Sequence, residues 1–338
     1  RNPKRYANVL RNAKWNAWVG AVALFLGTTL GHRQTLNVTS PTNGQFLGQT
    51  NQLKFTVTNI NVEVTMRAEI TGPGGTTVIS ERFTPNADGK IDNNLPLNFS
   101  QAAPEGAYTI SVTATRNDNN SVFGTAIINV TVDVTKPKFL QFNPINNAFV
   151  KGIVPIRVEV SEPFFKDYRV QINGQDIPNN TGTTLTNDAF QVNWDTAGIL
   201  QDGPQTIAIR LRDEADNEVS RSINVTIDRV PPSVTIVHPR SNLIFRPRSN
   251  ISVLVEITDV STSSIDLTGV DVIARRLDGT YIARVARQTF LGGSGNTMRW
   301  AGRLRWTLQL PKEFKIVVNV MDKAGNVAIT QEVLVRYQ

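Results

Sequence analysis

The feature that most constrains this chain is a strict two-residue alternation of apolar and polar side chains, which recurs three times. In "GAYTISVTATRNDNNSV" (106–122), Tyr108, Ile110, Val112 and Ala114 alternate with polar residues. In "GPQTIAIRLRDEADNEV" (203–219), Ile207, Ile209 and Leu211 do the same. In "KEFKIVVNVMDKAGNVA" (312–328), Phe314, Ile316, Val318 and Val320 do so. Successive side chains of a strand point to opposite faces, so this period predicts strands with one buried face. A tight turn follows each strand. "DEADN" (213–217) and "DKAGN" (322–326) share a first Asp and a last Asn, whereas "RNDNN" (116–120) keeps only the last Asn. The segments "TAIINVTVDV", "RSINVTIDRV" and "ITQEVLVRY" then read as closing strands.

The openings of the repeats agree as well. "SPTNGQF", "NPINNAF" and "HPRSNLI" each pair a Pro with a later apolar residue: Pro41 with Phe46, Pro144 with Phe149, and Pro239 with Ile244. The prolines stand 103 and 95 residues apart, the size of one β-sandwich domain. The segments "VTKPKF" (134–139) and "DRVPPSV" (228–234) place Pro at the joints, where it resists rotation and interrupts strand pairing.

"NWDTAGILQDGPQTIAIRLRDEADNEV" (193–219) resembles the bacterial Ig-like domains of cell-envelope proteins. Their pattern is a Trp-Asp-Thr segment, an Asp-Gly turn, an alternating strand and an Asp-x-Ala-Gly-Asn hairpin turn. Trp194, Asp195, Asp202, Gly203, Asp213 and Asn217 match it, with Asp216 in place of the usual Gly. In the third repeat Asp322, Ala324, Gly325 and Asn326 match that turn fully. The first repeat departs most, with Arg116 at the Asp position. The resemblance implies an all-β fold of three tandem Ig-like antiparallel β-sandwiches over 34–135, 136–229 and 230–338, and the residues within 1–33 themselves predict an N-terminal transmembrane helix before them. It specifies fold more than function, because such modules serve many purposes.

The N-terminal expectation rests on "WNAWVGAVALFLGTTLG" (15–31), which carries no charge. Arg1, Lys4, Arg5, Arg11 and Lys14 precede it, a bias that keeps an N-terminus cytoplasmic. Trp15 and Trp18 stand where interfacial aromatics belong, and Val19, Val22, Leu24, Phe25 and Leu26 form the apolar body. A cleavable signal peptide shares the basic start and short apolar core, and Thr29 and Gly31 suit its cleavage. A retained single-pass anchor in a bacterial cell membrane is the expectation, with the Ig-like domains on the periplasmic or extracellular side.

Little chemistry is legible. The chain has no Cys and two His, which excludes disulfides and thiolate sites and argues against zinc or His-based catalysis. "GPGG" (72–75) and "GGSG" (292–295) sit between strand-like runs and read as turns rather than phosphate loops. "NADGKIDNN" (86–94), with Asp88 and Asp92, is oxygen-rich but lacks a Ca²⁺-loop spacing and reads as an Asx turn. Asp213 and Asp322 raise the same question of Ca²⁺, and each is expected to cap its own turn. No metal, no cofactor, no catalytic residue, no small-molecule substrate and no nucleic acid are expected. Trp194 reads as a core residue between two sheets.

Charge is uneven. Residues 34–229 hold 15 basic and 20 acidic side chains, and residues 230–338 hold 14 and eight. Arg275, Arg276, Arg284, Arg287, Arg299, Arg303 and Arg305 concentrate in 31 residues, and "ARRLDGTYIAR" reads as a hairpin turning at Asp278–Gly279. Several of these Arg are expected to share the exposed face of one sheet, as a basic docking surface for an acidic protein or anionic headgroups. The function expected is a non-catalytic, membrane-anchored scaffold subunit whose Ig-like domains stabilise an integral membrane complex, for example photosynthetic, respiratory or secretory. The alternative is a cell-surface adhesin or glycan-binding array.

Overall fold

The computed structural model describes residues 33–261, 263–291 and 295–338. The candidate anchor residues, from Trp15 to Leu26, and most of "GGSG" lie outside them. Among the described residues no helix is long and apolar enough to cross a membrane. Nearly all the regular structure is strand, broken by one short 3₁₀ turn at Thr196–Gly198.

Three hydrophobic cores follow one another along the chain, each closed between two sheets. In the first domain Thr35–Ser40, Thr50–Thr58 and Lys90–Asn98 form a three-stranded sheet. It faces a five-stranded sheet ordered Phe46–Leu47, Val122–Val132, Gly106–Arg116, Val64–Gly72 and Gly75–Phe83. The second domain repeats this with Ala189–Asp195, Ile153–Ser161 and Lys138–Asn143 against Ala148–Val150, Glu218–Ile227, Gly203–Asp213, Phe165–Ile172 and Gln175–Gly182. The third sets Ser233–His238, Ile251–Thr258, Thr297–Leu304 and Ala286–Leu291 against Leu243–Phe245, Gln331–Tyr337, Glu313–Asp322, Ile265–Arg275 and Tyr281–Arg284.

Among the described residues all ladders are antiparallel except one per domain. A short early strand runs parallel to the last, with Phe46 opposite Thr131, Ala148 opposite Val225 and Leu243 opposite Val335. Two sheets of this connectivity make an Ig-like sandwich, and the chain is a tandem array of three.

The alternation does the work expected of it. Ile110, Ala114, Ile207, Leu211, Phe314, Ile316 and Val318 have no measurable exposure, and Trp194 at 3% is core. Trp300 is also buried, at 2%, and Trp306 is half-buried at the edge of the third core. The opening motifs each end their turn in the left-handed region, at Gly44 (φ 80°), Asn147 (φ 65°) and Asn242 (φ 62°). Gly and Asn tolerate that region best, which explains "TNG", "INN" and "RSN".

"GPGG" closes a hairpin in which Gly72 pairs with Gly75. In "NADGK" the Asn86 side chain accepts from the backbone N–H groups of Asp88 and Lys90, as an Asx turn requires. Tyr108 donates its hydroxyl proton to the Pro104 carbonyl at 2.8 Å, a tyrosine corner at the start of its strand. Tyr108→Phe is expected to lower stability by about 1 kcal/mol, read from the chemical denaturation midpoint at unchanged m value.

Candidate functional site

The domains meet at two joints assembled from the same positions. The last strand of the first domain ends at Val132 and the buried Asp133 follows; the last strand of the second ends at Ile227 and Asp228 follows. Beyond each, the linker backbone is tied to the domain it leaves. Glu105 accepts from the N–H groups of Val134 and Thr135, and Asp202 accepts from Arg229 N–H. Arg229 also donates from its guanidinium to the carbonyls of Thr196 and Ile199. The Asp-Gly turn at 202–203 therefore holds the linker.

The incoming domain supplies two more acids. One lies just past its central strand, at Glu162 after Ser161 and at Asp259 after Thr258. The other ends the long alternating strand, at Asp213 and Asp322. These last two cap their turns as expected. Asp213 Oδ1 accepts from the N–H groups of Ala215 and Asn217, and Asp322 Oδ1 accepts from Asn326 N–H.

The closing Asn of each turn then reaches back across the joint. Asn217 Nδ2 donates to the Asp133 carbonyl at 2.8 Å and to Asp213 Oδ2 at 2.9 Å. Asn326 Nδ2 donates to the Asp228 carbonyl at 2.9 Å and to Asp322 Oδ2 at 2.7 Å. This explains why Asp and Asn, rather than any turn formers, bracket the motif.

Further contacts differ between the joints. At the first, the rings of Phe46 and Phe164 meet at 4.9 Å across the boundary. Gly48 lies against the incoming turn, where an added Cβ would stand 2.9 Å from the Ala215 carbonyl oxygen. At the second, the equivalent position is Lys151. Its ammonium donates to the Gly325 carbonyl at 2.7 Å and to Asn326 Oδ1 at 2.8 Å.

Each joint thus gathers three carboxylates. Asp133, Glu162 and Asp213 each offer an oxygen within 4.8 Å of the others, as do Asp228, Asp259 and Asp322. All but the half-buried Glu162 are buried. Two unit charges at that separation repel by roughly 3 to 4 kcal/mol at an effective dielectric near 20. Among the described residues, no Lys, Arg or His forms an ion pair with any of the six.

Burial pushes Asp133 up to about 7, with the neighbouring Asp213 adding to the shift. Burial also raises Glu162 to about 7 and Asp228 to about 6, with nearby carboxylates adding to both. Asp213 is raised too, chiefly by burial and against the hydrogen bonds from its own turn. Oxygen donors alone, in such a cluster, suit a hard divalent cation or shared protons.

The seven arginines divide between the two sheets of the third domain, with several on each. Arg275 and Arg284 belong to the five-stranded sheet, with Arg276 at the start of the Asp278–Gly279 hairpin turn. Arg287, Arg299 and Arg303 lie on the opposing sheet, and Arg305 follows it. A strand's pattern shows which residues point outward but not which sheet it joins. Arg284 pairs with Asp271 at 2.9 Å and Arg299 with Glu256 at 2.8 Å. Arg275 donates to the Gly279 carbonyl at 3.1 Å. Arg276, Arg303 and Arg305 are exposed.

No family model matches the chain, and no curated protein matches it. Among solved structures, the chain is similar to a three-Ig-domain fragment of titin, I67–I69. Identity is 10%, coverage 90% of this chain and 98% of that one, and the TM-score 0.36. Fibronectin(III)-like modules of Clostridium thermocellum CbhA share 16% identity over 57% of this chain and 94% of theirs, with a TM-score of 0.35. A Ca²⁺-stabilised ice-binding adhesin of an Antarctic bacterium shares 17% over 91% and 75%, with a TM-score of 0.32.

Proposed function

We propose that the chain is a non-catalytic, extracytoplasmic spacer and scaffold. In this reading residues 15–31 anchor it in a bacterial cell membrane with the N-terminus cytoplasmic. The three Ig-like domains dock on an integral membrane complex in the same bilayer. The observation that carries the reading is the construction of the joints. The closing Asn of each turn ties one domain to the next, and the linker backbone is held to the domain it leaves, as a part that must hold a fixed spacing requires. Two surface hollows, of about 280 and 320 Å³, are lined by strand edges at 143–155 and 40–54 and gather no acid–base pair. That favours a mechanical role over a catalytic one.

In this reading the arginines of the third domain contact the partner. Changing Arg275, Arg276, Arg284 and Arg287 together to Ser is expected to weaken co-purification at moderate salt; unchanged retention would remove them from the interface. The function is tested by solubilising native membranes in mild detergent, separating by size and identifying companions by mass spectrometry. Co-migration with a large integral complex supports the scaffold. Migration as a lone 37.3 kDa species supports a surface adhesin instead.

A further inference from the structure

We propose that the second joint is a Ca²⁺ site, formed by the carboxylates of Asp228, Asp259 and Asp322. Three independent observations lead there.

The first is geometric. One oxygen from each side chain lies within 4.8 Å of the other two, and all three residues are buried, at 0%, 7% and 1% exposure. Oxygens so spaced can all touch one cation at the 2.3–2.6 Å that Ca²⁺ prefers. With no nitrogen or sulfur donor among the three, the set favours a hard cation over zinc or copper.

The second is an unmet valence. Asp228 Oδ1 accepts from Val230 N–H, but Oδ2 is buried with no hydrogen-bond partner. A wholly buried carboxylate oxygen left without a partner is rare, because its desolvation is uncompensated. The nearby ammonium of Lys151 does not meet it, being engaged by the Gly325 carbonyl and Asn326 Oδ1.

The third comes from the repeats. Strand register makes Asn59 equivalent to Glu162 and Asp259, because Thr58, Ser161 and Thr258 pair alike with the first strand of their domains. Arg116 ends the strand that Asp213 and Asp322 end elsewhere. Asn59 and Arg116 form no joint among the described residues. The acids stand where two domains meet, whereas a turn cap alone would be needed in every repeat.

The ion would bridge the exit of the second domain and the entry of the third, and so stiffen the array. This deepens the reading of the chain as a spacer, while binding itself is measured independently of that role.

The test is calorimetric titration of CaCl₂ into the EDTA-stripped, re-purified full chain, alongside Asp228→Asn and Asp259→Asn. The wild-type chain is expected to bind saturably, and each variant to lose one equivalent or weaken it about tenfold or more. Asp228→Asn is isosteric and removes a buried charge, so its metal-free melting temperature at pH 8 should not fall. Asp259→Asn provides a second reading if Asp228→Asn fails to fold. No heat of binding from the wild-type chain at millimolar Ca²⁺ would overturn the site. So would variants that titrate like the wild type.

Discussion

Asn326→Ala is expected to uncouple the third domain from the second and to lower stability by about 3 kcal/mol. The figure follows from the partners it strands. Asn326 is 5% exposed, and its amide donates to both the Asp228 carbonyl and Asp322 Oδ2. Its Oδ1 accepts from Lys151 across the joint. Truncation leaves the Asp228 carbonyl and an Asp322 carboxylate oxygen short of a partner in a buried setting, each worth about 1–3 kcal/mol when unmet, and removes one of the two acceptors of the half-buried Lys151 ammonium. The turn itself survives, because Asp322 still accepts from residue 326 through the backbone. The loss should therefore appear as separation of domain transitions in calorimetry, where the wild type is expected to melt its last two domains together. A single unchanged transition would show that the joint does not couple them.

The second large effect is of pH. In EDTA, stability is expected to fall as pH rises from about 4 to about 7, shifting the melting temperature by several degrees. Asp133 and Glu162 sit at about 7 in the folded chain and Asp228 at about 6, all above their ordinary values near 4. The folded chain therefore binds more protons than the unfolded one across that window. Stability must then drop with rising pH until the folded groups have ionised, and level off above it. Asp133 faces Asp213, Glu105 and Glu162; Asp228 faces Asp259, Asp322 and Asp202. Burial raises all three groups, and these acidic neighbours add to it, so the direction is shared. Ca²⁺ should restore the part lost at the second joint, because it binds the ionised form. A melting temperature rising steadily from pH 4 to 8 in EDTA would contradict this arrangement.

Much of the fold was legible because strands announce themselves by period. The alternation from Tyr108 to Ala114 and from Phe314 to Val320 is local, and so is the need for Gly or Asn at the turn of each opening. The Asp-x-x-x-Asn turns were legible as caps, since Asp213 and Asp322 serve backbone groups within four residues. Their second task was not, because the partners Asp133 and Asp228 lie 80 and 94 residues earlier. Glu162 and Asp259 were missed altogether. The signal that could have found them is a register alignment of the repeats, which shows acids at the two joints and Asn59 at the equivalent position of the first domain, where the described residues form no joint. The arginines show the opposite limit. Their exposure follows from alternation, but their division between two sheets depends on strand order, which no local pattern records.

The joints are expected to hold adjacent domains in one arrangement. The absence of Cys makes it directly measurable, since Ser220→Cys and Ser252→Cys give two unique labelling sites on exposed strands either side of the second joint. Pulsed electron–electron resonance between spin labels there, in Ca²⁺, should return a single narrow distance distribution that broadens when Asn326→Ala is added. A broad distribution in the unaltered joint would contradict the claim.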